Sequence, residues 1–330
     1  MNENNTILPA SHTIIDATAL GKELCKYYPL PNSTSCELLH RGMNDFYLLR
    51  TIDKLYVAQV WRVNTRDFDQ VLYEMEFLVY LNSGGINVPI PYKTNELNLA
   101  IEVLGPDGPR YVAIFNYIEG KVFSSNPNSI ISKKMGKIFG DIHNLSEKFE
   151  SKVQGKVIDR AKSINDLMPY VEKVVSHRSD DLSFYKEVAS LLIYSYNTSK
   201  SNKNIKSGTT HGDFHIHNAF VNNDCVTIMD FDACGIDYFV QELMSYKWSI
   251  EKNDLPFNLW EDFFSSYLSV RNLSSSEIKS IPIFLLGKEF SYLCGFSYAV
   301  DAIGHVAFHF PGLDWFSKSI QGHAKEAFKI

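Results

Sequence analysis

The sequence predicts an α+β fold with two lobes, in which a small antiparallel β-sheet carrying one helix precedes a larger, mainly α-helical part. The chain has 330 residues, more than one compact core usually holds. Strand-like runs dominate up to about residue 117, and helical periodicity dominates beyond residue 128. We therefore expect an N-terminal lobe over residues 1–116, a hinge and linker over 117–127, and a C-terminal lobe over 128–330.

The N-terminal part contains two pairs of strand-like runs with a helical pattern between them. Asp45–Thr51 and Leu55–Trp61 are joined by the turn-forming residues 52–54, whereas Leu97–Leu104 and Arg110–Tyr117 flank a stretch rich in Gly and Pro. Between the pairs, apolar side chains recur every three or four residues, which predicts one amphipathic helix. These side chains are Phe68, Leu72, Met75, Leu78 and Leu81, and Gly84-Gly85 can end the helix.

The C-terminal part is predicted to be mainly helical. Met135, Ile138, Phe139 and Ile142 form one apolar stripe that is typical of a core-facing helix. Further helices are expected within residues 161–198, 236–252 and 275–303. The first thirty-odd residues and the last eighty are predicted only to be rich in helix.

Composition, cysteine spacing and net charge argue against several classes of protein. With 45% hydrophobic and 13% aromatic residues, the chain can fill two cores. It has no 18-residue apolar run and no secretion signal at the N-terminus, so we expect a cytoplasmic protein. The five cysteines are scattered without C-x-x-C pairs, which favours reduced thiols over disulfides or a zinc knuckle. The net charge of −6, without a basic block, argues against nucleic acid or an anionic membrane as partner.

The most informative stretch is His211–Asn218, followed after a short apolar run by Asp230-Phe231-Asp232. Asn218 lies five positions after Asp213, and Asp230 lies seventeen positions after it. Phosphoryl transfer from ATP needs these side chains: Asp213 can accept the proton of an attacking hydroxyl, while Asn218 and Asp230 can hold Mg²⁺. The order and the Asp-to-Asn spacing match the catalytic loop of protein kinases, with Gly212 where those enzymes carry Arg.

The segment between Asn218 and Asp230 predicts a β-hairpin. Ala219–Val221 and Cys225–Met229 are short apolar runs on either side of the turn-forming residues 222–224. Antiparallel pairing would bring Asn218, which enters the hairpin, beside Asp230, which leaves it. Two ligands of one cation need this proximity.

His211, Gly212, Asp213, His215 and Asn218 together resemble the H-G-D-x-H-x-x-N signature of the aminoglycoside phosphotransferase, choline kinase and homoserine kinase superfamily, which has a protein kinase-like fold. The resemblance covers roughly residues 38–250. It implies an ATP- and Mg²⁺-dependent phosphotransferase with Asp213 as catalytic base, and it makes the N-terminal lobe the nucleotide-binding one.

The same resemblance suggests supporting roles for residues near the motif. His211 and His215 are expected to brace the loop by hydrogen bonds, and Glu242 looks like the family's acidic residue that braces the loop from a helix. Asp232 can either reach the metal or cap the strand end.

In the small lobe, the resemblance points to several nucleotide contacts. Gly42 and Asn44 lie where the superfamily carries its phosphate-covering turn, and Glu74 lies where it has a Glu that pairs with a strand Lys or Arg. The segment from Phe115 through Tyr117 to Gly120 looks like the hinge whose backbone would bind adenine.

The departure from the family is Gln59, at the strand position where a Lys or Arg would contact the phosphates. An amide can donate a hydrogen bond but carries no charge. Three explanations stay open: a bulge redirects Arg62, Arg50 on the neighbouring strand substitutes, or the charge is missing.

Several alternatives follow from the same residues. His211, His215 and His217 have spacing that could bind Zn²⁺ in a metal-dependent hydrolase, although Gly212 and the hairpin favour a loop over the helix that such a site prefers. The missing charge at Gln59 admits a nucleotide-binding scaffold with little turnover. A protein Ser/Thr kinase is also possible, but the stretch after Asp230 has no A-P-E segment, which favours a small hydroxylated substrate beside ATP. The oligomeric state is not indicated.

Overall fold

The computed structural model describes residues 13–309 and 311–330, which divide into two units. The first unit comprises the described residues up to Gly120 together with two short later segments, Phe149–Gly155 and Thr227–Met229. The second unit comprises Lys121–Lys148, Lys156–Val226 and Asp230–Ile330.

A five-stranded antiparallel sheet organises the first unit. The elements of this unit are α1 (Ala17–Tyr27), β1 (Ser35–Arg41), β2 (Asp45–Arg50), β3 (Leu55–Val60), α2 (Phe68–Ser83), β4 (Ile101–Gly105) and β5 (Gly108–Asn116). The strand order in the sheet is β1-β2-β3-β5-β4. The predicted antiparallel sheet with an inserted helix is thus confirmed. Helix α1 and strand β1 add to it at the N-terminal side.

Helix α1 covers one face of the sheet with an apolar core. Its buried side chains meet alternate residues of the strands: the cluster includes Leu20, Leu24, Tyr28, Tyr47, Leu49, Ala58, Val60, Ile101, Val112 and Ile114. Because successive strand residues point to opposite faces, Gln59 lies on the face away from α1. Its neighbours across the sheet are Phe46 of β2 and Ala113 of β5.

Helix α2 has clear signals at both ends. The side chain of Asp67 accepts a hydrogen bond from the Gln70 amide at 2.8 Å and so caps the N-terminus. The helix ends at Ser83, directly before the predicted Gly84-Gly85 stop. Phe149 packs its ring against Phe77 of this helix, with centroids 5.0 Å apart, which is one reason why residues 149–155 group with the first unit.

The second unit is mainly helical, with two small sheets. Its elements are β6 (Lys121–Val122), a 3₁₀ turn (Phe123–Ser125), α3 (Ser129–Ser146), α4 (Arg160–Val175), α5 (Ser179–Ser199), β7 (Ser207–Thr210), β8 (Ala219–Asn222), β9 (Cys225–Ile228), β10 (Gly235–Tyr238), α6 (Phe239–Lys252), α7 (Asn258–Leu268), α8 (Ser275–Ile303), a second 3₁₀ turn (Gly304–Phe308) and α9 (Leu313–Phe328). Strands β7 and β10 pair antiparallel, and β6, β8 and β9 form a sheet in that order.

Helix α8 spans the centre of this unit and packs against α4, α6 and α9. It occupies Ser275–Ile303, as predicted, and starts with a capping box formed by Ser274 and Glu277. Among residues 13–309 and 311–330, no helix combines the length and apolarity needed to cross a bilayer.

The structure refines one helical prediction and corrects another. Residues 161–198 form two helices, which separate at 176–178. The first residues of the range 236–252 belong to strand β10, because Ile236, Asp237 and Tyr238 pair with β7 before α6 begins. Local periodicity does not reveal a strand this short.

Candidate active site

The loop from His211 to Asn218 connects β7 to β8 and has a backbone that requires glycine at one position. Gly212 has φ +87°, a left-handed conformation that residues with a Cβ rarely adopt. A Cβ there would lie 2.1 Å from the carbonyl oxygen of Ala233, in the segment that follows the hairpin. Gly212 therefore lets the loop pass closely over that segment.

A buried chain of polar groups from three helices fixes this loop. Glu242 of α6 accepts a hydrogen bond from the Gly212 amide through Oε1 at 2.7 Å. Its Oε2 lies 2.8 Å from Nε2 of His143 in α3, whose Nδ1 lies 2.9 Å from the hydroxyl of Tyr267 in α7. Burial lowers the pKa of His143, although Glu242 opposes that shift. The chain holds the Gly212 backbone in one place.

Asp213 presents two carboxylate oxygens in different environments. Oδ1 accepts hydrogen bonds from Lys288 Nζ at 3.0 Å and from the Tyr292 hydroxyl at 2.5 Å. Oδ2 lies 3.9 Å from Nε2 of His215. Enclosure by the protein alone would raise the pKa of Asp213, but the charge of Lys288 and the hydrogen bonds outweigh it and hold the pKa well below its usual range. Asp213 is thus ionised at neutral pH.

Asn218 and Asp230 flank the predicted hairpin, which β8 and β9 form. The Asn218 side-chain amide donates to the backbone oxygen of Asp213 at 3.0 Å, so its own oxygen can serve another group. Asp230 has φ +65°, and its pKa is raised to about 7. The main cause is loss of hydration by the surrounding protein, followed by the charges of Asp232 and Asp213, although the residue as a whole is exposed. A divalent cation would offset this concentration of negative charge.

The three motif histidines do not form a zinc site. His211 is buried, with its ring 4.4 Å from that of Phe231, and it accepts a hydrogen bond from the Asp213 amide at 3.3 Å. The rings of His215 and His217 lie 5.5 Å apart, and burial lowers the pKa of His215 to about 4. In the described ranges, no group of three or more His, Cys, Asp or Glu could hold a metal.

In the first unit, Gly42 and Asn44 form the turn between β1 and β2. The Gly42 amide donates to the Asn44 oxygen at 2.9 Å, and the Gly42 oxygen accepts a hydrogen bond from the guanidinium of Arg62. Asn44 is buried, while Met43 between them is exposed. Arg62, in the loop that follows β3, thus holds the turn by a side-chain hydrogen bond.

Glu74 does have a basic partner, but this partner comes from none of the three arrangements that the sequence suggested. It forms an ion pair with Arg66, in the loop between β3 and α2, and both side chains are largely buried. Arg66 also donates a hydrogen bond to the backbone oxygen of Gln70 at 2.7 Å. Arg50 instead pairs with Glu37 at the exposed sheet edge, at 3.1 Å. Gln59 is buried on the same sheet face as its neighbours Phe46 and Ala113.

The predicted hinge residues end β5. Phe115 is buried and pairs with Val57 of β3. The amide of Tyr117 donates to the Leu55 oxygen at 3.4 Å, a long hydrogen bond, and the Tyr117 side chain is partly exposed. An adenine would have to compete for this amide or use other backbone groups nearby.

Sequence reasoning missed the residues that reach the motif from far along the chain. Lys288 and Tyr292 lie one turn apart on α8, and only a Lys within a strongly apolar stretch could have drawn attention to them. His143 had no signal beyond its place beside an apolar stripe. Arg66 directly precedes the helix cap and looked like an ordinary loop residue.

Comparison with known proteins places the chain in a family. The model described as the phosphotransferase enzyme family matches residues 36–269. The homoserine kinase of Rhizobium meliloti is 23% identical over 270 residues, which cover 79% of this chain and 78% of that protein.

Two solved structures are similar in fold. An amicoumacin kinase in complex with AMP-PNP and Ca²⁺ aligns with a TM-score of 0.74 at 17% identity, covering 92% of each chain. A microcompartment-associated aminopropanol kinase aligns with a TM-score of 0.72 at 17% identity, covering 94% of this chain and 95% of the other. Because the family model spans most of the chain, from β1 to the end of α7, this protein belongs to the phosphotransferase enzyme family and has the protein kinase-like fold that its motif indicated.

Proposed function

We propose that the protein transfers the γ-phosphoryl group of ATP, with Mg²⁺, to a hydroxyl group of a small molecule. The observation that carries this proposal is the Asp213 carboxylate, which is ionised and is held by two hydrogen bonds at Oδ1, so that Oδ2 remains for the acceptor. Its side chain is 35% exposed, so an acceptor can approach it. The N-terminal lobe over residues 1–116 would bind the nucleotide, and the lobe over 128–330 would bind the acceptor.

The reaction moves one proton and one phosphoryl group. The acceptor oxygen forms a bond to the γ-phosphorus. At the same time, the bond from that phosphorus to the oxygen bridging the β- and γ-phosphates breaks, and ADP leaves. The hydroxyl proton passes to Asp213 Oδ2. Since the transition state is loose, the protein contributes mainly through positioning and charge neutralisation.

Asn218 and Asp230 would hold the metal ion. When bound, Mg²⁺ neutralises charge on the phosphates. Mg²⁺ in such sites takes one or two carboxylates and completes its coordination with phosphate oxygens and water, which agrees with one amide and one carboxylate here. The pKa of Asp230 is raised mainly by burial and then by the negative charges of Asp232 and Asp213, which a cation would offset. Asp232 lies close enough to add to that charge and is a further candidate ligand.

The relatives support a small acceptor. Their names refer to homoserine, amicoumacin and aminopropanol, and the amicoumacin kinase was solved with a nucleotide analogue and a divalent ion. An amino alcohol or a hydroxylated amino acid is therefore the first acceptor class to test.

The direct test is ATP consumption by the purified protein across aminopropanol, homoserine, choline, an aminoglycoside, simple sugars and a generic protein substrate. We expect turnover with at least one small alcohol and none with the protein. Asp213→Asn serves as the control for contaminating kinases. Turnover with the protein alone would favour the protein kinase alternative, and ATP binding without any turnover would favour the scaffold.

Arg66 should matter for ATP binding more than Gln59 does. We expect Arg66→Gln to weaken ATP binding about 10- to 100-fold, the usual value of a charge-assisted contact, because the pair with Glu74 would supply the charge that Gln59 lacks. Gln59→Lys should bring no gain if Arg66 already supplies the positive charge. Isothermal calorimetry with Mg·ATP measures both changes.

Arg50→Gln is the matched control for Arg66, because it removes an Arg–Glu pair at the exposed sheet edge of the same unit. It should leave ATP affinity unchanged. If Gln59→Lys tightens binding while Arg66→Gln has no effect, the charge is missing from this site and Arg66 has only a structural role.

A further inference from the structure

The Asp213 carboxylate is held by one face of α8. Lys288 and Tyr292 are separated by four residues, so their side chains emerge on the same side of this helix. Both donate to the same oxygen, Oδ1. The other oxygen, Oδ2, lies 3.9 Å from Nε2 of His215. Both hydrogen bonds from α8 are therefore made to one oxygen of the carboxylate, Oδ1.

Lys288 is fixed by three contacts. Its ammonium donates to Asp213 Oδ1 and, at 3.3 Å, to the backbone oxygen of Gly212, and it lies 4.8 Å from the ring centroid of Tyr292. The side chain is only 6% exposed. A buried ammonium costs free energy unless it is paired with an anion. The Asp213 carboxylate is the anion that pairs with Lys288.

Tyr292 is held from its other side. Its ring stacks on Trp248 of α6 with centroids 4.0 Å apart and an interplanar angle of 23°. Trp248 in turn makes an edge contact with Trp315 of α9, at 6.1 Å. The hydroxyl that reaches Asp213 thus rests on an aromatic stack that spans three helices.

We propose that Lys288 and Tyr292 are positioning residues that hold Oδ1 of Asp213 and leave Oδ2 as the oxygen that accepts the proton of the acceptor hydroxyl. The inference rests on the proposed function and deepens it. Nothing in the H-G-D-x-H-x-x-N motif supplies these contacts, because the two residues lie 75 and 79 positions beyond Asp213.

A carboxylate on a loop can rotate about its side-chain bonds, and each rotation moves the proton-accepting oxygen away from the acceptor. Two donors on Oδ1 remove this freedom. They also keep Oδ1 from competing for the acceptor hydroxyl, so substrates meet one oxygen with a fixed direction.

The test separates positioning from binding and from folding. Lys288→Met should lower kcat by about 10²-fold while the KM for ATP changes by less than about threefold, since the carboxylate would be misplaced with the nucleotide site intact. Tyr292→Phe keeps the stacked ring and should lower kcat by about 10-fold. Lys288→Arg keeps the charge and should recover part of the loss. Rates are measured with the acceptor that turns over fastest in the screen.

Two matched controls lie on the same helix. Lys279→Met and Tyr298→Phe make the same chemical changes at exposed positions of α8 and should leave kcat unchanged. In an Asp213→Asn background, Lys288→Met should cause no further loss, because both changes act through one carboxylate. A kcat within about twofold of wild type, or losses that multiply, would overturn the proposal.

A measurement without catalysis distinguishes this proposal from the proposed function. In urea unfolding, Lys288→Met should lower the midpoint more in the wild-type background than in Asp213→Asn, where its ionic partner is already gone. If no acceptor supports ATP consumption, the proposed function fails. If Lys288→Met shifts the urea midpoint equally in both backgrounds, Lys288 does not hold Asp213. Unequal midpoint shifts together with a normal kcat would mean that the Lys288–Asp213 ion pair is purely structural, which would reject the positioning role.

Discussion

Asp213→Asn is expected to lower turnover by about 10²- to 10⁴-fold, the usual contribution of a positioned base, while leaving ATP affinity nearly unchanged. Asn has almost the same size and can still accept from Lys288 and Tyr292 through its oxygen, so the loop should keep its path. What disappears is the group that receives the acceptor proton. Steady-state ATP consumption and calorimetry with Mg·ATP measure the two quantities separately.

The control for this prediction is Asp166→Asn, which makes the same change at a solvent-facing ion pair of α4. It should leave both quantities at wild-type values. Should Asp213→Asn turn over at the wild-type rate, the base lies elsewhere or the measured activity belongs to a contaminating enzyme. A parallel loss of ATP affinity would mean instead that the substitution has disturbed the loop.

The fold was predictable where the pattern is local. The hairpin β8–β9 and the full length of α8 follow from apolar runs, turn residues and helical spacing that any window of the chain displays. Strand β1 gave no such signal, because nearly all its residues are exposed and therefore show no apolar alternation. Strand β10 has only four residues and leads directly into α6.

The site was predictable where the chemistry is contiguous in sequence. Asp213, Asn218 and Asp230 stand within one short segment, and the spacing alone identifies them. Lys288 reaches Asp213 from 75 positions away, and His143 reaches Glu242 across 99. These contacts between residues far apart in the sequence arise from the packing of helices, which a single sequence does not reveal.

The position of Gln59 shows a different limit. The sequence suggests Arg50 and Arg62, on or beside the neighbouring strands, as replacements for a cation at Gln59. Arg66 lies in a loop and meets Glu74 because α2 begins directly after it. This ion pair joins a loop to a helix, so it could not be read from the register of the strands.

Asp230→Asn is expected to abolish the metal-dependent part of ATP binding and to lower turnover on the order of 10³-fold, since a metal ion contributes several kcal/mol of charge stabilisation. Asn is the appropriate replacement because Asp230 has φ +65°, and Asn tolerates this left-handed backbone better than Ala does. Thermal shift with ATP, in the presence and absence of Mg²⁺, measures the effect.

The raised pKa of Asp230 adds a pH dependence with a definite sign. A carboxyl with a pKa of about 7 is increasingly protonated as the pH falls below that value, and a bound proton competes with the metal. The Mg²⁺-dependent stabilisation by ATP should therefore be strong near pH 8 and weaken as the pH falls through about 7. In Asp230→Asn this pH dependence should vanish.

Asp224→Asn is the matched control, because Asp224 lies at the turn of the same hairpin, is exposed and pairs only at the surface with Lys134. It should respond to Mg²⁺ and to pH as wild type does.

Without metal near pH 8, Asp230→Asn should be at least as stable as wild type, since ionised Asp230 faces the negative charges of Asp232 and Asp213. A lower stability would mean that Asp230 serves the fold, and equal stabilisation by ATP with and without Mg²⁺ in wild type would remove the metal site from the mechanism.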